Sequence, residues 1–257
     1  GGGSGTECDL DHFDLEDPAC FQLIVWNPEA DEIIGGYRFT RWKMASFHDN
    51  GQPYVNTEHL FDFSQRFLDN EFPHCIEMAR AFVQPKYQSA AGGRKALFAL
   101  DNLWAGIGGL IATDPTVKYL SGKVTIYSTS PEMSRKAMVY YLDMSFGDRE
   151  GLITSKNPET CTPEQAAFFK EMFTGADYKE NYAILNNYVK SLGDTIPPFI
   201  HLYIGLSPTM KTFGTTFDPD FGDCYDTAMI ITAKDIYEDK YKRYMESYER
   251  CKEYPRK

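Results

Sequence analysis

The middle of the chain carries an apolar segment, then a loop of small residues, then a long amphipathic stretch. Residues 75–83 (CIEMARAFV) lie between Pro73 and Pro85 and mix apolar with polar side chains, which predicts a strand. Residues 88–93 (QSAAGG) predict a loop, and apolar residues at helical spacing predict a helix over 95–111. A strand joined to a helix by a loop of this length favours folds in which helices pack on a sheet.

Strands and helices are predicted along the rest of the chain as well. The expected strands cover 21–26 and 33–39, paired as a hairpin around a polar turn at 27–31, and then 119–127, 209–216 and 227–232. Helices are expected over 60–68, after Pro131, through most of 148–195, and over 234–249. We therefore predict an α/β fold, with a mixed sheet flanked by helices, as a single domain over 1–257 that carries a helical insertion at about 148–195.

The net charge and the spacing of the cysteines exclude some classes of protein function. The net charge of −11 argues against binding nucleic acid or an anionic membrane with the whole surface. Six scattered cysteines form no C-x-x-C pair and no metal-ligand spacing, so we expect reduced thiols, no metal site and a cytoplasmic protein. No apolar run reaches the roughly 18–20 residues of a membrane span.

Two patterns suggest a binding site beside the predicted strand 75–83. The small residues at 88–93 before a helix would let a phosphate approach backbone N–H groups, although a plain strand-to-helix turn has the same composition. Glu77 and Arg80 are three residues apart and should face opposite sides of a strand unless a bulge intervenes. They form either part of a site or a surface ion pair.

Acidic residues cluster near the start of the chain, at Asp9, Asp11 and Asp14. Such carboxylates bind a cation or an ammonium group, or they simply form a solvated loop. The run 218–223 (DPDFGD) does not match the calcium-binding EF-hand, because its glycine is out of place.

Taken together, these segments resemble the GNAT-like N-acyltransferases of ornithine- and glycine-lipid synthesis. Members of this family are often labelled hemolysins, and the family is related to the acyl-homoserine-lactone synthases. The similar segments follow the family's order over nearly the whole chain: DLDHFD (9–14), LIVWNP (23–28), IIGGYR (33–38), CIEMARAFVQPKY (75–87), ALFALDNLWAGIG (96–108), YLSGKVTI (119–126), IPP (196–198) and FDPDF (217–221). Family members usually have a further upstream segment, and we expect it to contribute to the substrate pocket.

The resemblance implies roles for the residues that match the family's acidic loop and central strand. Glu77 would be the general base, and Asp11 and Asp14 would hold the acceptor's ammonium or fix Arg38. Arg38 and Arg80 would bind the acceptor's carboxylate or anchor the acidic loop. A backbone N–H near Phe82 or Val83 would stabilise the oxyanion.

The resemblance also implies where the acyl donor binds. The donor would be the acyl-phosphopantetheine of acyl carrier protein, with acyl-coenzyme A as the alternative, and no cofactor would be bound permanently. Its phosphate would meet the loop that contains Gln88, Ala91, Gly92, Gly93 and Arg94. Lys86, Arg94 and Lys95 would contact the carrier protein, or they are ordinary solubilising charges. Trp104, with Phe82 and Ile126, would line the acyl slot or pack in the core.

The function implied is transfer of a fatty acyl group to the amino group of an amino acid, glycine or ornithine, in aminolipid synthesis. A partner O-acyltransferase would act on the product, which would place the enzyme at the inner face of the membrane as a peripheral protein. One alternative is an enzyme similar to acyl-homoserine-lactone synthases or a GNAT enzyme that uses acyl-coenzyme A. The other is a non-enzymatic, hemolysin-type membrane or lipid-binding protein.

Overall fold

The computed structural model describes residues 10–87, 94–246 and 248, without the side chains of residues 94–101. Its strands are β1 (Cys20–Asn27), β2 (Glu32–Arg41), β3 (Phe61–Phe63), β4 (Cys75–Val83), β5 (Tyr119–Ile126), β6 (Ile153–Ser155), β7 (Lys211–Asp218) and β8 (Cys224–Thr232). Six of them form a mixed sheet in the order β1-β2-β4-β5-β8-β7, and β3 pairs with β6 separately. This architecture confirms the predicted α/β class.

The two central strands, β4 and β5, are parallel but pair over only part of their length. Their ladder runs from Cys75 opposite Tyr119 to Met78 opposite Gly122. Both strands continue beyond this point, and β5 stays paired with β8 as far as Ile126. A wedge-shaped gap therefore opens between β4 and β5 in the middle of the sheet.

A β-bulge turns β4 away from β5 at the point where the gap opens. The register between β2 and β4 shifts between Gly36 and Arg38, and Arg80 has a φ of 47°, in the left-handed region. A bulge bends its strand and increases the local twist. Gly35 permits the close approach of β2 here, since a Cβ atom at that position would lie 2.5 Å from the carbonyl oxygen of Phe82.

The helices are α1 (His12–Leu15), α2 (Gln65–Asn70), α3 (Arg94–Thr113), α4 (Glu132–Phe146), α5 (Pro163–Met172), α6 (Tyr178–Ser191), α7 (Pro198–Ile204) and α8 (Glu238–Tyr241), with a π-helical turn at Lys242–Glu246. Single 3₁₀ turns lie at Trp42–Met44, Phe72–His74, Pro85–Tyr87 and Ala233–Asp235. At the start of α5, Thr162 and Gln165 form a reciprocal capping box, a pattern of neighbouring residues that marks a helix start.

Side chains on the two faces of the sheet belong to two separate apolar cores. On one face, Ile76 and Leu120 pack with residues of α3, α4, α6 and α7. On the other face, Trp42 packs with Phe61, Phe72 and their neighbours. Because successive residues of a strand point to opposite faces, Glu77 faces the second core.

Glycines of the segment LWAGIG let α3 pack closely against its neighbours. A Cβ atom at Gly106 would lie 2.9 Å from the side chain of Leu23 on β1. One at Gly108 would lie 2.5 Å from the backbone oxygen of Tyr244 in the π-helical turn. Close packing is therefore sufficient to explain why glycine occupies these two positions.

Several predictions of local structure were wrong. The predicted helix over 60–68 is β3 followed by α2, and Ser64 caps that helix. The stretch 148–195 contains α5 and α6 but also β6, which closes the small sheet. The predicted terminal helix is interrupted: a 3₁₀ turn precedes α8, and the π-helical turn follows it.

Candidate active site

A cleft of about 450 Å³ lies on the face of the sheet that carries Glu77, at the point where β4 and β5 separate. Its walls come from α1, from the loop at 54–59, from β4 and β5, and from the hairpin of β7 and β8. Within the described part of the chain, its lining has more carboxylates than Lys and Arg side chains. The carboxylates are Asp11, Glu58, Glu77, Asp218, Asp220 and Asp226, and the Lys and Arg residues are Arg38, Arg80 and Lys123. The cleft is therefore suited to a cationic group such as an ammonium.

Glu77 lies at the floor of this cleft and is only 1% exposed. Its Oε2 accepts a hydrogen bond from Trp42 Nε1 at 3.1 Å, and its Oε1 accepts one from the hydroxyl of Thr57. Trp42 is itself fixed by stacking on Phe72, with ring centroids 4.9 Å apart. These two neutral donors orient the carboxylate.

A carboxylate has about four acceptor sites. Two are used by Trp42 and Thr57, so Glu77 retains acceptor capacity toward the cleft. It can therefore bind an ammonium or a water and accept a proton from it, as a general base must.

Arg38 and the acidic loop form a compact ion cluster beside Glu77. The Nη1 of Arg38 donates to both oxygens of Asp11 at 2.8 Å and to Asp14 Oδ2 at 3.1 Å. Arg80 reaches the same cluster, with its Nη2 2.9 Å from Asp11 Oδ2. The bulge in β4 is what brings Arg80 to this side, so Glu77 and Arg80 line the same cleft although they are three residues apart.

The ionised forms of the cluster stabilise one another. Burial opposes ionisation of Asp11, but the hydrogen bond and charge of Arg38 and the charge of Arg80 outweigh it and hold the pKa of Asp11 at about 2. Burial likewise opposes the charge of Arg38, and its contacts with Asp11 and Asp14 outweigh that effect and raise its pKa. Both groups are therefore charged at neutral pH.

Of the two roles predicted for Arg38, this geometry corresponds to anchoring the acidic loop. Arg38 is 2% exposed and its charge is balanced by two carboxylates, although its Nε has no hydrogen-bond partner within the described residues. Asp11 also caps α1, in a reciprocal box with Asp14. The cluster thus fixes one wall of the cleft. Asp9 lies outside the described residues.

The opposite wall contains charged residues that sequence reasoning missed. Lys123 on β5 lies 3.6 Å from Asp226 on β8, measured from Nζ to Oδ2. Asp218 lies 3.3 Å from the Nε2 of His59. Burial opposes ionisation of Asp218, but the hydrogen bond and charge of His59 and the charge of Lys123 outweigh it and lower its pKa. The segments YLSGKVTI and FDPDF contain Lys123 and Asp218, but their composition alone does not show that they meet.

Phe82 and Val83, the predicted oxyanion positions, lie on the part of β4 that has separated from β5. Their partners across the ladder are Gly36 and Gly35 of β2. The Phe82 side chain is 46% exposed, whereas Ile126 is fully buried in the core. This part of β4 is thus paired with β2 on one side and lies next to the gap on the other.

Trp104 does not line the cleft. It lies in the core on the other face of the sheet, edge-on to Tyr203 with centroids 6.2 Å apart, and it also contacts Tyr244. A tryptophan at a helical core spacing packs in the same way whether or not a substrate is nearby, so the sequence could not distinguish the two roles.

The predicted donor-binding residues fall largely outside the described part of the chain. Gln88, Ala91, Gly92 and Gly93 are not described, and α3 begins at Arg94, whose side chain, like that of Lys95, is also outside the description. Lys86 is described: it is half exposed and pairs with Glu32.

Metal ligands, thiols and membrane-spanning helices were sought among the described residues. Among them, no group of three or more histidine, cysteine, aspartate or glutamate side chains is arranged to hold a metal ion. Cys20, Cys75, Cys161 and Cys224 are free thiols. No helix in the described ranges has the length and apolarity needed to cross a membrane.

A mixed sheet whose central parallel strands part beside a buried carboxylate is the architecture of a GNAT-type acyltransferase. A family model described as the acetyltransferase (GNAT) domain matches residues 1–96. A glycine N(alpha)-acyltransferase of Phocaeicola vulgatus is 42% identical over 248 residues, which cover 96% of this chain and 76% of the relative. A second, from Bacteroides thetaiotaomicron, is 42% identical over 251 residues, covering 96% and 73%.

The chain therefore belongs to the GNAT-like N-acyltransferase family that contains these glycine N(alpha)-acyltransferases, which confirms the family expected from the sequence. It is an N-acyltransferase. Among solved structures, an aminoglycoside 6'-N-acetyltransferase complexed with coenzyme A aligns over 84% of this chain and 74% of its own, at 10% identity and a TM-score of 0.32. A similarity that low adds nothing to the assignment.

Proposed function

We propose that this enzyme transfers a fatty acyl group from acyl carrier protein to the amino group of an amino acid, with glycine as the acceptor. The observation that carries the proposal is Glu77, a buried carboxylate at the floor of an anionic cleft where two parallel strands part. The choice of glycine follows the names of the two relatives.

The cleft supplies what an amino-acid acceptor needs before it can react. An α-amino group is largely protonated at neutral pH, so it arrives as an ammonium and is attracted by the excess of carboxylates. Glu77, directly or through one water, takes a proton from this ammonium and leaves a nucleophilic amine.

The acyl transfer itself needs no covalent enzyme intermediate, because the donor thioester is already activated. The amine nitrogen bonds to the thioester carbonyl carbon and the carbon–sulfur bond breaks. The second proton of the nitrogen passes to the departing sulfur, which leaves as a thiol. A backbone N–H at Phe82 or Val83 would stabilise the oxyanion that forms in between. Catalysis then rests on positioning and on Glu77.

The two substrates would approach from opposite faces of the sheet. The cleft of Glu77 is anionic and repels a phosphate, whereas the amino end of α3, which packs on the other face, attracts one. The phosphopantetheine arm would therefore pass through the gap with its phosphate near residues 88–94. Lys86, Arg94 and Lys95 would contact the carrier protein, and Lys86 would then exchange its bond to Glu32 for one to the partner.

The product would be a single-chain acyl amino acid, which a second, O-acylating enzyme would esterify at a hydroxyl group carried by the fatty chain. Such a product belongs in a membrane, so we propose that the enzyme works at the inner membrane face as a peripheral protein.

Purified protein mixed with a long-chain acyl carrier protein and glycine tests this function, with the product measured by mass spectrometry. We expect N-acylglycine, and little or none when the donor is acyl-coenzyme A. Glu77→Gln should lower kcat/KM by about 10²–10⁴-fold, the usual contribution of general acid–base catalysis. Glu150→Gln is the matched control, because Glu150 is a surface residue paired with Arg66 and Lys211, outside the cleft.

Each part of the proposal has its own refuting result. A folded wild-type protein that makes no acyl amino acid from any donor would refute the function. Equal rates with acyl-coenzyme A would refute only the donor, and ornithine preferred over glycine would refute only the acceptor. Full activity of Glu77→Gln would remove Glu77 as the base.

A further inference from the structure

Lys123 occupies a distinctive position in the sheet. The ladder between β4 and β5 ends at Met78 opposite Gly122, and Lys123 is the next residue of β5. Glu77 is paired with Ser121, so Lys123 lies two residues further along and points to the same face of the sheet. Both side chains line the cleft.

The side chain of Lys123 is largely buried, and its ammonium has only distant partners among the described residues. Its side chain is 12% exposed. Within the described residues, its Nζ lies 3.6 Å from Asp226 Oδ2 and 3.5 Å from the backbone oxygen of Asn56. Both distances exceed the roughly 2.7–3.2 Å of a good N–H···O bond. A buried cation in this state has donor capacity left for an anion.

The carboxylates near Lys123 are held by closer donors. Asp226 accepts a hydrogen bond from the Thr125 hydroxyl at 2.7 Å. Asp218 accepts one from the backbone N–H of Asp220 at 3.0 Å and contacts His59. Each carboxylate therefore keeps a hydrogen-bond donor of its own when a ligand anion binds the lysine.

The acceptor's own charges match this arrangement. Two residues along a strand correspond to roughly 7 Å, which leaves room between Glu77 and Lys123 for a small zwitterion that bonds to both. Arg38, the other predicted carboxylate ligand, already has its charge balanced by Asp11 and Asp14.

We propose that Lys123 binds the carboxylate of the amino-acid acceptor and so directs the amino group toward Glu77. This assignment rests on the proposed function and deepens it. Lys123 makes the enzyme select α-amino acids over amines that lack a carboxylate, since such amines leave its ammonium with only the long contacts to Asp226 and Asn56.

The test compares glycine with glycinamide, which keeps the amino group and size but lacks the negative charge. We expect wild type to prefer glycine strongly. Lys123→Met should raise KM for glycine by about 30-fold, the loss of one charged hydrogen bond, with kcat changed far less. Its KM for glycinamide should stay within about threefold of wild type, and Lys123→Arg should restore part of the glycine preference.

Two further variants guard against effects on folding. Lys136→Met removes another buried lysine, which lies 2.8 Å from Glu159 outside the cleft, and should leave the preference for glycine over glycinamide unchanged. Lys123→Met/Asp226→Asn removes the lysine together with the carboxylate that faces it and should show the same KM increase as the single variant. Thermal unfolding of each variant reports whether it is folded.

The possible results separate this assignment from the proposed function. Wild type that acylates glycinamide as well as glycine, or a Lys123→Met variant with equal losses on both acceptors, overturns the Lys123 assignment while N-acyl transfer stands. If wild type acylates no amine, the proposed function fails, and glycine binding by isothermal titration decides about Lys123. Binding that is lost in Lys123→Met supports the assignment, and unchanged or absent binding overturns it.

Discussion

Replacing Arg38 by methionine tests the idea that an ion cluster fixes the wall of the cleft. Arg38 and Asp14 are almost fully buried, with side chains 2% and 5% exposed. Breaking a buried ion pair by removing one partner costs about 3–5 kcal/mol, because it leaves an uncompensated charge. Arg80 keeps its 2.9 Å contact with Asp11 but lies 3.9 Å from Asp14, so among the described residues Asp14 is the carboxylate that loses its closer cation.

We therefore expect Arg38→Met to lower the free energy of unfolding by about 3 kcal/mol, near the lower end of that range. For a chain of this size the loss corresponds to a decrease in Tm of about 6–12 °C. Urea unfolding followed by tryptophan fluorescence measures it, since Trp42 is fully buried in the neighbouring core. Activity should fall as well, because Asp11 and its turn line the cleft.

The control removes the charges together. Asp11→Asn/Arg38→Met/Asp14→Asn leaves no buried charge in the cluster, and asparagine still caps α1. Its stability should be recovered to within about 1–2 kcal/mol of wild type, as is common when a buried network is replaced as a whole. A loss below about 1 kcal/mol for Arg38→Met, or a triple variant no more stable than the single one, would refute the reasoning.

Further expectations follow from the same contacts. Thr57→Val keeps the side-chain shape but removes a hydrogen-bond donor to the buried Glu77, so the free energy of unfolding should fall by about 1.5–3 kcal/mol in a urea titration. An unchanged value would show that the hydroxyl does not support Glu77. Gly108→Ala pushes a Cβ atom against the backbone of Tyr244 and should cost about 1–3 kcal/mol in the same assay, whereas a neutral or stabilising effect would contradict the close packing. Asp11 has its pKa lowered from 3.8 to about 2, so its contribution to stability is fully present above about pH 5 and is lost as the pH falls through about 2. Asp11→Asn should lack this component of acid destabilisation, and parallel curves of unfolding free energy against pH for the two proteins would argue against it.

Local sequence patterns predicted several elements of this protein correctly. Residues 75–83 match β4 at both ends, and the predicted helix over 95–111 lies within α3. The capping box at Thr162 and Gln165 also needed only neighbouring residues. The helix predicted over 60–68 was wrong because Phe61 and Phe63 pair with β6, about ninety residues away. No local pattern reveals such a pairing.

The sequence by itself determined the alternation of strands and helices, the acidic loop and the carboxylate at position 77, because periodicity, caps and residue type are properties of short segments. Tertiary structure decided which of these residues meet. The bulge that turns Arg80 toward Asp11, the parting of β4 from β5, and the position of Lys123 in the gap all depend on pairing with distant strands. The same pairing sets how far each charge is buried and which partners it has, and those two quantities decide what its side chain can do.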